Sequence, residues 1–211
     1  TRLSFALQST FNMSNEKHIE DLKEIRSLME KSTRFLSLSG WSGIMAGVYA
    51  LIGTFIAHKY ANSDHFYLNP NHQLPFLIIG LSVMTAALIT GGILTYRKAK
   101  NSGQTIFSKT ALRMLIHIGF PMVIGFFVWL AFALKGGEEF MAGMLLIFYG
   151  LGLVNGSKYT LNDIRVLGVA NVILGVLALF FTHYGLYFWA AGFGVGHIVY
   201  GTYMWMRYER K

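Results

Sequence analysis

The sequence contains no cysteine, only three prolines and only ten acidic residues among 211 positions. Without cysteine the chain cannot form disulfides, thiolate metal sites or a cysteine nucleophile. Charged residues make up 13% of the chain, about half of the ~25% that is usual in soluble globular proteins. HExxH, P-loop and GxSxG motifs are missing too. No catalytic residue is therefore predicted, and an ordinary soluble domain is disfavoured.

Apolar residues dominate the chain instead. They form 54% of it, with a mean hydropathy of +0.45. Because a charge near a bilayer centre costs ~2.5–3.5 kcal/mol, an uncharged stretch of about 20 residues predicts a transmembrane helix. The uncharged stretches are Phe35–His58, His65–Tyr96, Met114–Leu134, Phe140–Ser157 and Val166–Met206. The last one is long enough for two helices joined at His183-Tyr184-Gly185.

These stretches predict an all-α membrane protein, a bundle of six transmembrane helices within residues 35–211. The predicted helices are 35–57, 75–96, 113–134, 140–157, 165–182 and 187–206. With six spans, 16 of the 18 lysines and arginines fall on one side, and only Lys59 and Lys135 fall on the other. The positive-inside rule then places both termini in the cytoplasm. The net charge of +8 is explained by a basic rim facing anionic lipid, without nucleic acid.

The N-terminal segment differs from the rest of the chain. Met13 has the features of a natural start, so we expect residues 1–12 to be upstream or added sequence. Residues 13–34 predict a cytoplasmic amphipathic helix with one apolar face. That face consists of Ile19, Leu22, Ile25 and Met29. Residues 14–34 are suited to dock a protein partner or a second subunit, or to lie at the membrane surface or against the bundle.

Small residues predict where the helices pack, because close backbone approach drives helix association in lipid. The first predicted helix carries Gly43 and Gly47 on one ridge, and the last carries Gly192, Gly196 and Gly201. These two helices are expected to be the central packing elements. The same glycines would also suit a homo-oligomer interface or a mobile seam in a transporter.

Polar side chains within the predicted spans are candidate ligand-binding residues, because burying them in lipid is costly. They are His117, Asn155, Asn171 and His197. Pro121 has no N–H and leaves the His117 carbonyl without its helical partner. The group can bond across helices, form a pocket for a water, a cation or a polar substrate, or carry protons. Haem between His117 and His197 is disfavoured, since their predicted depths differ by about 9 Å.

Four histidines lie near the opposite membrane face: His58, His65, His72 and His183. Imidazoles are common zinc and copper ligands. Their spacing across a loop that contains Pro70 sets no coordination geometry, so no metal site and no cofactor is predicted.

Two stretches carry a family resemblance: DLKEIRSLMEKSTRFLSLSGWSGIMAGVYALIG at 21–53 and FGVGHIVYGTYMWMRYER at 193–210. From about Met13 to its end, the chain resembles a family of uncharacterised polytopic inner-membrane proteins of Bacteroidetes-type bacteria. The resemblance implies a multi-pass protein of the bacterial cytoplasmic membrane. It implies no activity, cofactor or functional residues.

The expected function is non-enzymatic, as a subunit or regulator of a membrane assembly. The alternative is a small-molecule or ion transporter or binding module with an intramembrane pocket near His117 and His197. A haem-binding electron carrier is less favoured.

Overall fold

A computed structural model describes residues 37–64, 73–103 and 108–210, together with residues 21, 22, 25, 29, 34, 35 and 66. The expected start at Met13, most of the predicted helix at 13–34, and His65 and His72 lie outside the described residues. Within that helix, Asp21, Leu22, Ile25 and Met29 are described, and they are helical and exposed.

Helices and turns make up the described residues, with no strand among them, so the predicted all-α class is confirmed. The helices are α1 (Gly40–Ala61), α2 (Gln73–Asn101), α3 (Lys109–Ala133), α4 (Met141–Gly156), α5 (Ile164–Phe180), α6 (Gly185–Trp189) and α7 (Gly196–Tyr208). A π-helical segment, Ala190–Val195, joins α6 to α7 without a break. Short 3-10 turns precede α4, follow α4 and precede α6.

Three of these helices, α1, α2 and α3, are long and apolar enough to cross a membrane by length and composition. Their most apolar stretches have mean hydropathies of 1.5, 2.2 and 2.1. In α2 none of that stretch is buried within the protein. Apolar surfaces of this extent mark contact with lipid or with another protein.

The helices pack in a series that places α2 and α3 on different flanks. On one flank α2 packs against α1, and α1 packs against α7 and the π-helical segment. On the other flank α3 packs against α4, and α4 packs against α5. The continuous helix from α6 to α7 contacts α1, α4 and α5, and therefore joins the two halves.

Backbone contact between α1 and α7 depends on glycine. A Cβ on Gly201 would lie 2.5 Å from the backbone nitrogen of Ile44 and 2.6 Å from the Gly40 carbonyl oxygen. A Cβ on Gly47 would lie 2.5 Å from the Gly194 carbonyl oxygen. The two backbones touch directly, as is common where small residues face each other in membrane helices.

Glycines also allow close backbone contact between α4 and α5. A Cβ on Gly150 would lie 2.5 Å from the Gly168 carbonyl oxygen, and one on Gly143 would lie 2.9 Å from the Gly175 carbonyl oxygen. Each of these four glycines faces a backbone carbonyl and an aliphatic side chain of the other helix, so a larger residue there would push the helices apart.

The glycines singled out in the sequence lie on two sides of the last helix. Gly43 lies against Gly201, where a Cβ would be 3.1 Å from the Gly201 Cα. Gly192 instead faces Leu146 of α4 and Asn171 of α5, and Gly196 faces Leu167 of α5. The last helix thus uses Gly201 toward α1, and Gly192 and Gly196 toward α4 and α5.

One carboxylate ties three helix ends together. Glu209, just after α7, accepts a hydrogen bond from the Gly40 N–H at 2.6 Å and pairs with the Lys98 ammonium at 2.9 Å. The ammonium also donates to the Leu38 carbonyl at 2.6 Å. Because a carboxylate at a helix N-terminus satisfies a free N–H, Glu209 caps α1 and holds α2 and α7 beside it.

Candidate functional site

The candidate site is built around His197, a buried residue near the start of α7. Its Nδ1 lies 3.1 Å from the Gly192 carbonyl oxygen, and its Nε2 lies 2.6 Å from the Tyr149 hydroxyl. A carbonyl oxygen can only accept, so Nδ1 carries the hydrogen in the neutral ring and donates it. Nε2 is then the acceptor for the Tyr149 O–H.

The same two partners also suit a doubly protonated ring. Both nitrogens of an imidazolium donate. The Gly192 carbonyl would keep its bond, and the Tyr149 oxygen could accept after its hydroxyl hydrogen rotates away. The site therefore provides an oxygen acceptor for the single N–H of the neutral imidazole and for both N–H groups of the imidazolium.

The π-helical segment provides one of these partners. Its sequence Ala190-Ala191-Gly192-Phe193-Gly194-Val195 is small and rich in glycine, and the Gly196 N–H bonds the Ala191 carbonyl five residues earlier. The Gly192 carbonyl lies five residues before His197, within hydrogen-bonding distance of the ring. Such π-helical turns are rare and occur frequently at functional sites.

Asn171 of α5 adds a second buried polar group beside Gly192. It is 0% exposed, and its Nδ2 donates to the Leu167 carbonyl at 2.9 Å. Its Oδ1 has no hydrogen-bond partner in the described part of the chain. A Cβ on Gly192 would lie 2.7 Å from that oxygen, so the glycine makes room for it. Within this cluster, Asn171 Oδ1 is the acceptor that is still available.

Tyr200 lies one turn after His197 on α7. Its hydroxyl is buried and has no hydrogen-bond partner among the described residues. Tyr149 and Tyr200 also pack against one cluster of buried side chains, which consists of Leu153, Ile164 and Leu167.

Charged groups lie at the end of α7, next to the start of α5. The Tyr208 hydroxyl donates to Asp163 Oδ2 at 2.7 Å, and Arg207 pairs with Asp163 at 3.2 Å. Arg207 also donates to the Tyr203 hydroxyl. Partial burial, and then the hydrogen bond to Asp163, raise the pKa of Tyr208 above its ordinary value. Tyr208 therefore stays a neutral hydroxyl donor at physiological pH.

The other predicted ligand-binding residues have different partners. His117 bonds the Arg113 carbonyl through Nδ1 at 2.7 Å and faces the Tyr159 hydroxyl through Nε2 at 3.3 Å. Asn155 accepts a bond from Lys158 at 3.3 Å on the exposed side of its helix. These hydrogen bonds connect neither residue to His197.

Pro121 lies inside α3, which continues as one helix from Lys109 to Ala133. Of the predicted set, the structure brings Asn171 and His197 together, on either side of Gly192.

Sequence reasoning missed the tyrosine partners. Tyr149 lies in the middle of α4, whereas membrane proteins concentrate tyrosine at the two interfaces. That unusual depth is the one signal in the sequence that marks Tyr149. Nothing local predicts that it meets His197, which is 48 residues away.

The histidines at the other end of the bundle form no cluster in the described residues. The His58 ring lies edge-on to Tyr187 at 6.3 Å, and the His183 ring lies edge-on to Tyr184 at 5.4 Å. The described ranges contain no group of three histidine or acidic residues placed to hold a metal ion.

An open groove of about 510 Å³ runs along the outer face of α2. It is lined by Ile78, Leu81, Ser82, Thr85, Ala86 and Ile89. Its lining residues belong to one helix, and none of them is part of the polar cluster around His197.

Comparison of the chain with protein-family models, curated proteins and solved structures found no match. The function is therefore inferred from the chain's own residues.

Proposed function

We propose that the chain is a six-span membrane protein that binds or transports a small polar molecule or an ion at the His197 site. The observation that carries the proposal is the buried His197 imidazole, held between the Gly192 carbonyl and the Tyr149 hydroxyl. Intramembrane ionisable groups are costly and mark ligand or ion pathways. The proposed role is that of a binding module and not of an enzyme.

The proposed topology has α1 to α5 as five spans and the continuous helix at 185–208 as the sixth. Both termini lie in the cytoplasm, following the distribution of lysine and arginine. The resemblance to inner-membrane proteins of Bacteroidetes-type bacteria supports the bacterial cytoplasmic membrane. His197, ten residues before Arg207, then lies about 15 Å from the cytoplasmic edge, near the centre of a hydrocarbon core about 30 Å thick.

Single-cysteine labelling tests this topology directly, because the chain has no native cysteine. We expect an impermeant maleimide to label Ser102→Cys and Arg210→Cys from the cytoplasmic side only, and Asn62→Cys and Lys135→Cys from the opposite side only. Leu146→Cys, fully buried in α4, is the control that no aqueous reagent reaches. Labelling of Ser102→Cys and Asn62→Cys from the same side would contradict the proposal.

The site defines the chemistry of its ligand. Among the described residues Asn171 Oδ1 has no hydrogen-bond partner, so a ligand that reaches this oxygen would bring an N–H, an O–H or a cation. The contacts around Gly192 are too tight to admit a methyl group. Access therefore requires a local movement, for which the glycine-rich π-helical segment is suited, as interrupted helices are in transporters.

Ligand-dependent stabilisation of the purified protein tests the binding proposal. We expect at least one of Na⁺, K⁺, ammonium or the free amino acids to raise the unfolding temperature in detergent. A ligand at 100 times its Kd stabilises by about 2.7 kcal/mol. The shift should be lost in Tyr149→Phe and Asn171→Leu and kept in Tyr187→Phe, which removes an exposed phenol at the far end of the same continuous helix. A shift that persists in both site variants would refute the proposal.

A second role, as a subunit of a membrane assembly, is supported by a different observation. Leu22, Ile25 and Met29 are 65%, 53% and 64% exposed. Their spacing places them along one helical face. Such a face suits a protein partner, a second copy of the chain or the anionic cytoplasmic membrane surface.

Phe35, which follows this segment, is hydrogen-bonded to the bundle. The Phe35 N–H donates to the Tyr159 carbonyl at 2.8 Å, and the Thr160 hydroxyl donates to the Phe35 carbonyl at 2.6 Å. Both partners lie in the connection between α4 and α5. A partner bound to residues 14–34 would therefore act on the end of the bundle that carries Asp163.

A further inference from the structure

We propose that the ion bound at His197 is a proton, and that it reaches the imidazole from the cytoplasmic end of α7 through Tyr200 and Tyr149. This inference rests on the proposed function, since it names the ligand and the route of the same site. The term proton column is used below for Asp163, Tyr208, Tyr200, Tyr149 and His197.

The proton column follows one face of α7. His197, Tyr200 and Tyr208 are spaced by three and eight residues, which brings them to the same side of the helix. The rise from His197 to Tyr208 is about 16 Å, roughly half the hydrocarbon thickness. Side chains on a helix lean toward its N-terminus. The Tyr208 phenol therefore leans toward Tyr200, and the Tyr200 phenol leans toward the His197 end.

The first link is at the surface. Asp163 is exposed enough to meet solvent, with its side chain 23% accessible, and it accepts the Tyr208 hydroxyl hydrogen. A carboxylate beside a neutral phenol can exchange protons with bulk water. Arg207 also pairs with Asp163 and keeps the carboxylate in place.

Tyr200 forms the middle link. Its hydroxyl is buried and unpartnered in the described part of the chain, although phenylalanine would pack there without leaving a polar group unsatisfied. It packs with Tyr149 against Leu153, Ile164 and Leu167. Asp163, which accepts the Tyr208 hydroxyl hydrogen, directly precedes Ile164 at the start of α5. Its position between these groups explains why a hydroxyl at this depth would be useful: it can pass a proton in either direction, directly or through a water.

The last link ends on His197. When a proton arrives at the Tyr149 oxygen, the hydrogen already on that oxygen moves to His197 Nε2. Tyr149 is again a neutral phenol, and His197 becomes an imidazolium with Nδ1–H on the Gly192 carbonyl. The reverse transfer returns one proton to Tyr149 and then to the cytoplasm. One proton is gained or lost overall, and no other reactant is needed.

In the described part of the chain, the side chains in contact with the His197 ring are uncharged, so the ring itself is the group that changes charge. Facing the ring are Tyr149 from α4 and Phe193, stacked from the π-helical segment, while Gly43 of α1 lies against the His197 backbone carbonyl. From α5, Asn171 is uncharged and lies beside Gly192. Asp163, the charged group at the other end of the column, and its ion-pair partner Arg207 are at the cytoplasmic end.

Charge displacement in proteoliposomes tests the proton column. Vesicles that contain the purified protein are adsorbed on a solid-supported membrane, and the outer solution is changed from about pH 8 to about pH 4.5, from well above to well below the ordinary pKa of an imidazole. Protons that move to mid-membrane produce a transient inward current. We expect this current in the wild type and its loss in His197→Gln. In Tyr200→Phe the rate should fall by about 100-fold, while the total charge moved stays the same.

Tyr187→Phe is the matched control and should keep the wild-type rate, because it removes an exposed phenol from the opposite end of the same helix. An unchanged rate in Tyr200→Phe would overturn the route. Absence of the transient in wild type, or its retention in His197→Gln, would overturn the proton as ligand. If another ligand stabilises the protein and this stabilisation is lost in Tyr149→Phe, the proposed binding function is still supported. If the wild type shows neither the charge transient nor stabilisation by any ligand, the proposed binding function is refuted as well.

Discussion

The Gly201→Val variant will force α1 and α7 apart and destabilise the folded protein by about 3 kcal/mol, the upper part of the usual range for overpacking. The first carbon of the new side chain would already lie 2.5 Å from the backbone nitrogen of Ile44 and 2.6 Å from the Gly40 carbonyl oxygen. Backbone atoms cannot rotate away as a side chain can, so the helices must separate. We expect a lower unfolding temperature in detergent. We also expect the midpoint of reversible unfolding to move to a lower SDS concentration.

Gly92→Val is the matched control for this prediction. Gly92 is also a helical glycine, and a Cβ there would meet no atom within 4 Å. The two variants share the change in helix propensity, so the difference between them measures packing alone. Equal stability loss in both variants would show that the contact between α1 and α7 does not hold the bundle together.

The Glu209→Ala variant will loosen the ends of α1, α2 and α7 that meet at Glu209, at a cost of about 2 kcal/mol. The loss combines the cap on the Gly40 N–H with the ion pair to Lys98. Both side chains retain some contact with solvent, at 17% and 21% exposure. Screening by solvent therefore keeps the effect below that of a fully buried pair.

Glu209→Gln separates the two contributions, since its amide oxygen can still accept from the Gly40 N–H. It should lose about 1 kcal/mol, and the loss should become smaller at high salt. Glu139→Ala, at an exposed carboxylate, should leave the stability unchanged. If Glu209→Gln is as unstable as Glu209→Ala, the ion pair and not the cap carries the effect.

Helix positions could be predicted closely from the sequence. The span predicted at 113–134 is α3 at Lys109–Ala133, and the span predicted at 165–182 is α5 at Ile164–Phe180. The helix predicted at 75–96 extends in α2 to Asn101, past Arg97. Charge marks where a helix should leave lipid, whereas the backbone hydrogen bonds can continue into the aqueous region.

The candidate site was only half predictable. His197 and Asn171 stand out as polar residues in apolar stretches. Their grouping with His117 and Asn155 was not predictable in this way, because sequence alone gives depth along a helix but not rotation about its axis. In the structure His117 faces Tyr159, whereas His197 faces Tyr149.

The sequence by itself determined that the chain is helical and where its apolar helices lie, and it predicts which side carries the positive charge. These follow from local composition, because a run of side chains sets the hydropathy of its own segment. Only the tertiary structure decided that Gly192 makes room for Asn171, that Gly201 touches α1, and that the Tyr149 hydroxyl meets His197. Such contacts join residues distant in the chain, and they depend on how each helix is rotated against its neighbours.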